Sequence, residues 1–126
     1  MRAVDTNVLV RLISRDDPIQ VASAERFIEA GAWASTLAVA EAIWVLGSVY
    51  GRSVEALCKA IEMLLNNLIL ALQDPEAVAG ALELFRAKPA LGFSDCLILE
   101  LARKAGHVPL GTFDRNLSKV EGAQKL

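Results

Sequence analysis

Residues 2–14 read RAVDTNVLVRLIS, and the change of pattern inside this stretch decides the fold. Ala3 and Val4 form a short apolar piece that stops at Asp5, and TNVLVRLIS then reads as a helix from Thr6. A strand over residues 2–5 therefore runs straight into a helix. The same alternation continues along the chain. Asp17-Pro18 supplies an N-cap with proline at the first helical position, so IQVASAERFIEAG is a helix reaching Gly31. Trp33 to Ser35 reads as a second strand, and Thr36 caps a helix that runs to about Tyr50 and stops at Gly51. Ser53 opens a helix whose apolar positions Val54, Leu57, Cys58, Ile61, Leu64 and Leu65 have helical spacing.

The second half repeats the scheme. Leu68 to Leu72 is the third strand, and Asp74-Pro75 starts a helix reaching Arg86. Lys88 to Gly92 is a loop, Ser94 or Asp95 starts a helix ending at Gly106, and Val108 to Gly111 is the fourth strand. TFDRN is a short helical turn and the tail AQKL an edge strand. Strands alternating with helices predict an α/β class: a mostly parallel sheet of four to five strands with helices on both faces, three layers, in a single domain over residues 1–126.

Composition narrows the function. Hydrophobic residues make up 54% of the 126, which excludes disorder as a description of the whole. A net charge of −2 does not suit a protein that coats DNA, although it leaves room for a local basic rim. Cys58 and Cys96 have neither CxxC nor zinc spacing and read as free buried thiols in a reducing compartment. MRAVDTNVLVRLI is broken by Asp5 and Asn7 and is not expected to be a signal peptide; no apolar run is long enough for a membrane span, so a cytoplasmic location is expected. No GxGxxG, P-loop or G-x-S-x-G pattern is present, and His107 stands alone beside the fourth strand, as a surface or turn residue would.

Acids are the residues that can carry chemistry. Ligands of an open parallel sheet bind beyond the carboxyl ends of its strands. Asp5 ends the first strand, Asp114 follows the fourth, and Asp95 sits at a helix N-terminus. Each can be explained as a helix cap. Glu41 has no such explanation, because LAVAEAIWVL (37–46) is otherwise wholly apolar and its helical neighbours are Leu37, Ala38, Trp44 and Val45. Burying a lone carboxylate is costly, so Glu41 either escapes to solvent beside Ser48 or meets a positive charge. Two carboxylates ~5 Å apart at an effective dielectric of ~20 repel by on the order of 3 kcal/mol. If all four acids converge, a divalent cation resolves the repulsion, and an oxygen-only donor set points to Mg²⁺ or Mn²⁺.

The stretches VDTNVLVRLISRDDP, STLAVAEAIWVL, GFSDCLILELARKAG and GTFDRNL, in this order, together resemble the PIN-domain family, and more closely the VapC-type toxins of bacterial and archaeal toxin–antitoxin pairs. The resemblance spans nearly the whole chain. It implies a metal-dependent endoribonuclease, with the family's acidic quartet on Asp5, Glu41, Asp95 and Asp114. Thr6, Asn7, Ser94 and Thr112 would be the polar helpers that orient those carboxylates. It implies further an RNA product with 5′-phosphate and 3′-hydroxyl ends, a homodimer, and a cognate VapB-like antitoxin whose tail covers the acidic cleft. Arg11, Arg15 and Arg115 lie close to these acids in sequence and are candidates for phosphate contacts.

On this reading a Mg²⁺ or Mn²⁺ ion held by the quartet activates a water against an RNA phosphodiester. Rivals from other classes are weaker. A phosphatase using the first-strand aspartate would want DxD, where this chain has Asp5-Thr6-Asn7. DNA-flap nucleases carry added clamping elements for which a chain this short has no room, which favours RNA. The remaining alternative is a non-catalytic PIN-like interaction module. For it the apolar surplus at Trp33, Trp44 and Tyr50 would matter more than the acids, as a patch for a second copy or an antitoxin helix.

Overall fold

The break at Asp5 is where strand β1 (Arg2–Val4) gives way to helix α1 (Thr6–Ser14). Asp5 has an extended backbone, and its Oδ1 accepts the Val8 N–H at 3.1 Å, which satisfies one of the four unpaired donors of a helix start. In the computed structural model, which describes all 126 residues, the chain forms two compact units, Met1–Pro75 and Glu76–Leu126. The class is mixed α/β, with six helices and five strands, and every strand pairing is parallel.

The first unit continues with α2 (Pro18–Ile28), β2 (Ala32–Ala34), α3 (Thr36–Ser48), α4 (Val54–Asn66) and β3 (Leu70–Leu72). Its sheet has the order β1-β2-β3, with Val4 beside Ala34 and Ala34 beside Leu72. Strand periodicity sends Val4, Ala32, Ala34, Leu70 and Leu72 into the core, while Ala3, Trp33 and Ala71 on the opposite face stay exposed. Helices α1 and α3 pack closely, with Leu9 and Val10 on one and Val39, Ala42 and Leu46 on the other turned inward. Burying each of the larger aliphatic side chains contributes roughly 1.5–3 kcal/mol.

The second unit holds α5 (Pro75–Ala87, its first residue shared with the first unit), a 3-10 turn at Pro89–Leu91, α6 (Phe93–Ala105), β4 (Leu110–Thr112), a 3-10 turn at Leu117–Lys119 and β5 (Ala123–Lys125). Phe85 and Phe93 meet edge to face at 6.1 Å and tie α5 to the start of α6. The tail strand pairs with β4, Leu110 beside Ala123 and Thr112 beside Lys125. The five expected strands are thus all present, and their hydrogen bonds group them as three and two.

Several boundaries differ from the sequence expectation, each for a local reason. Ser35, not Thr36, caps α3: its Oγ accepts the Ala38 N–H at 3.0 Å, while the Thr36 amide and hydroxyl both turn to Gln73 Oε1. Helix α3 also stops at Ser48, before Tyr50, and α2 stops at Ile28, before Gly31. Neither Ser94 nor Asp95 caps α6. Gly92 holds that place at φ +79°, a conformation that disfavours any side chain, and Ser94 and Asp95 fall inside the first turn. The two Asp-Pro starts are not copies either, since Asp17 is extended and Asp74 has φ +47°. Cys58 and Cys96 are free and buried, as expected. No helix is long and apolar enough to cross a membrane.

Candidate functional site

Within the first unit, Asp5 stands at the carboxyl end of β1, with Oδ1 engaged by the α1 backbone. The next residue, Thr6, donates its hydroxyl to Glu41 Oε2 at 2.9 Å. Glu41, in mid-helix, is thereby tied to the residue that directly follows the strand-end acid Asp5. Glu41 itself is exposed. The apolar residues of α3 that point inward are Ala38, Val39, Ala42, Ile43 and Leu46, and Glu41 lies on the opposite face with Leu37, Trp44 and Ser48. Of the two alternatives for Glu41, the side chain takes the solvent-facing one, with one oxygen held by Thr6 just beyond the end of β1. It faces solvent and keeps one anchored oxygen, so it incurs little desolvation cost.

Two candidate arginines of this unit, Arg11 and Arg15, are engaged internally. Arg11 donates to Gln20 Oε1 and to the Tyr50 hydroxyl at 2.8 Å, and its guanidinium lies 3.5 Å from Asp16. Asp16 also accepts from Ser14 at 2.7 Å and from Tyr50 at 2.9 Å. The Ser14 hydrogen bond, followed by the Tyr50 one, holds the Asp16 carboxyl below its usual value. Arg15 forms an exposed pair with Glu25 at 3.5 Å. Such a pair contributes little to stability.

Within the second unit, Asp95 lies in the first turn of α6 beside Ser94, and both are half-buried. Asp114 follows β4; its Oδ1 accepts the Leu117 N–H at 2.8 Å, and its own N–H donates to Thr112 Oγ1 at 3.0 Å. Thr112, expected as a helper of the last acid, thus fixes the backbone that carries it. The Asp95 carboxyl is raised above its usual value, first by burial and then by the negative charge of Asp114. The neighbouring thiol of Cys96 is pushed up to about 11 by burial and by the charges of Asp95 and Glu100, so it stays protonated and inert at neutral pH. Arg115 is exposed, with its carbonyl accepting the Ser118 hydroxyl. His107 is exposed, and its N–H closes the end of α6 on Ala102.

Each unit therefore presents two of the four acids, and no group of three or more His, Cys, Asp or Glu side chains gathers within either. The sequence reading missed a hollow of about 470 Å³ between β1, α1 and α2 that opens beside Asp5. Asn7, Gln20, Ser23 and Phe27 contribute to its wall. A signal was available: Gln20, Ser23 and Phe27 are spaced i, i+3, i+7 on one face of α2, adjacent to the buried face of Val21, Ala24 and Ile28.

No curated protein and no solved structure matches the chain closely enough to count as similar. The model of the PIN domain matches residues 2–123, from the first strand to the start of the last. With a match of that extent, over an α/β chain whose strands and acids fall as described, the chain belongs to the PIN-domain family.

Proposed function

We propose that this chain is a metal-dependent endoribonuclease of the VapC toxin type, acting in the cytoplasm on RNA and held in check by a VapB-like antitoxin. PIN domains are generally nucleases, which are hydrolases acting on nucleic acid, and this coarser assignment follows from family membership. The observation that carries the finer reading is the hydrogen bond from Thr6 to Glu41 beside Asp5. It gives a reason for the one acid in an apolar helix, and for a hydroxyl directly after the strand-end aspartate. The mutual repulsion of Asp95 and Asp114 is a second support, since a cation is what relieves it. The match from residue 2 to residue 123 crosses both compact units and supports one PIN domain over the chain.

The donor chemistry fits a hard divalent ion. Asp5, Glu41, Asp95 and Asp114 offer only oxygens, and Mg²⁺ takes one or two carboxylates readily while keeping waters in its remaining positions. When bound, such an ion supplies charge neutralisation at a phosphate and a water of lowered pKa. The chain's own groups do the positioning. Thr6 fixes one oxygen of Glu41, the α1 backbone fixes one of Asp5, and Thr112 with the Leu117 N–H fixes Asp114. Asn7 and Ser94 stand beside the first and third acids. Arg115 is free to meet a phosphate, whereas Arg11 and Arg15 would have to exchange the partners they now hold. Exposed Leu37 and Trp44 on one face of α3 support a homodimer through that face.

The test is direct. Purified protein should cut single-stranded RNA with Mn²⁺, stop with chelator, and leave DNA of the same sequence uncut. Asp5→Ala and Asp95→Ala should each lose at least a hundredfold in rate. Unchanged cleavage in both variants would sink the metal-nuclease reading.

A further inference from the structure

Of the four acids only Asp5 lines the hollow, and its lining is not that of a core defect. We propose that it receives one unpaired base of the nucleic-acid substrate, the base flanking the bond that is cut; this rests on the nuclease reading given above. Three observations carry it. The first is size: about 470 Å³ falls within the range of small-ligand sites. The second is chemistry. Val8 and the Phe27 ring supply apolar wall, and Asn7, Gln20 and Ser23 supply neutral amide and hydroxyl groups. A flat base with a polar edge needs that combination, because apolar surface takes its face and amides pair with its edge. Arg11 occupies Gln20 Oε1 and leaves the amide donors of Gln20 without an internal acceptor, while the Asn7 and Ser23 side chains make no internal hydrogen bond. The third is place. Asp5 is both a wall of the hollow and one of the proposed metal acids, so a base seated there sets which phosphate of the strand reaches the metal.

The lining is also braced. Arg2 stacks on Phe27 at 3.8 Å and donates to the Phe27 carbonyl at 3.0 Å. The Asp16–Tyr50–Arg11 network holds the other side of the hollow through Gln20. Preformed walls lower the ordering cost of binding and favour recognition of one base over another.

An abasic scan along a single-stranded RNA tests this. Wild-type protein should lose at least tenfold in kcat/KM when one nucleotide flanking the cut lacks its base. Ser23→Trp fills the hollow from an exposed position; it should lose a similar factor on intact RNA and nothing further on the abasic one. Gln20→Ala should weaken the preference at the same position. A flat scan, or the same scan in Ser23→Trp, overturns the inference while leaving the nuclease reading intact. If no RNA or DNA is cut, the nuclease reading fails, and binding decides the rest. An RNA oligonucleotide added in chelator should shift the side-chain amide NMR signals of Asn7 and Gln20; signals that stay fixed overturn the hollow as a base site.

Discussion

Asp95 is the residue whose environment is most at odds with its charge. Burial and the nearby charge of Asp114 raise its carboxyl above the ordinary 3.8. A carboxyl raised in the folded state gives stability that is full below 3.8 and is lost as pH rises through the raised value. At neutral pH, without metal, the ionised Asp95 is therefore a liability. Asp95→Asn should melt above wild type at pH 7 in chelator, and the gain should vanish near pH 3, where both side chains are neutral. Thermal melts at a series of pH values check this; a variant less stable than wild type at pH 7 would show that repulsion is not what Asp95 endures. Asp16 has the opposite sign. Its carboxyl is held low, so it stabilises above 3.8 and loses that contribution as pH falls through the lowered value. Tyr50→Phe removes one of the two hydrogen bonds that lower it, and an NMR titration should find the Asp16 pKa moved back toward 3.8.

At the scale of elements, the strand-helix alternation was legible because each start carries its own chemistry. Asp5, Asp17 and Ser53 cap α1, α2 and α4 where the sequence placed them. The start of α3 misled because two hydroxyl residues stand side by side at Ser35-Thr36, and only the distant Gln73 decides between them by taking Thr36. Asp95 misled for a related reason. An aspartate near a helix start looks like a cap, but the 3-10 turn ending at Leu91 leaves Gly92 as the boundary and puts Asp95 within the first turn. This sharpens its reading, since capping no longer accounts for it. Glu41 was legible as an anomaly and not as a geometry. No local rule says that an exposed face of α3 meets the first hydroxyl of α1, because that contact is made by the packing of two helices distant in sequence. Two substitutions test these elements. Ser35→Ala should cost about 1 kcal/mol in urea unfolding, against a few tenths for Thr36→Ala, whose bonds to Gln73 are exposed. Leu46→Ala, at a fully buried position of α3, should cost roughly 2–5 kcal/mol.

At the scale of the molecule, the chain keeps several large apolar side chains on the outside and its four candidate acids outside any ion pair. Trp44 is 64% exposed and Leu37 67% exposed on the same face of α3, with Glu41 between them in sequence. Covering that face with a second copy would bury both, so sedimentation should show a concentration-dependent mass that Trp44→Glu shifts to the monomer. The acids respond to a different partner. On the proposed function, a divalent ion would bind the folded arrangement of carboxylates and not the unfolded chain, and would stabilise by mass action. At a hundred times its dissociation constant the gain is about 2.7 kcal/mol. For a chain of this length each kcal/mol moves the midpoint by roughly 3–5 °C, so saturating Mn²⁺ should raise Tm by about 10 °C. Asp5→Asn removes the charge of one proposed ligand from an exposed strand end without disturbing the core, and should shrink that rise by half or more at the same Mn²⁺ concentration. Ca²⁺ and Mg²⁺ compared with Mn²⁺ separate a specific site from general screening, because simple screening by salt would give equal shifts for all three ions and none of the dependence on Asp5.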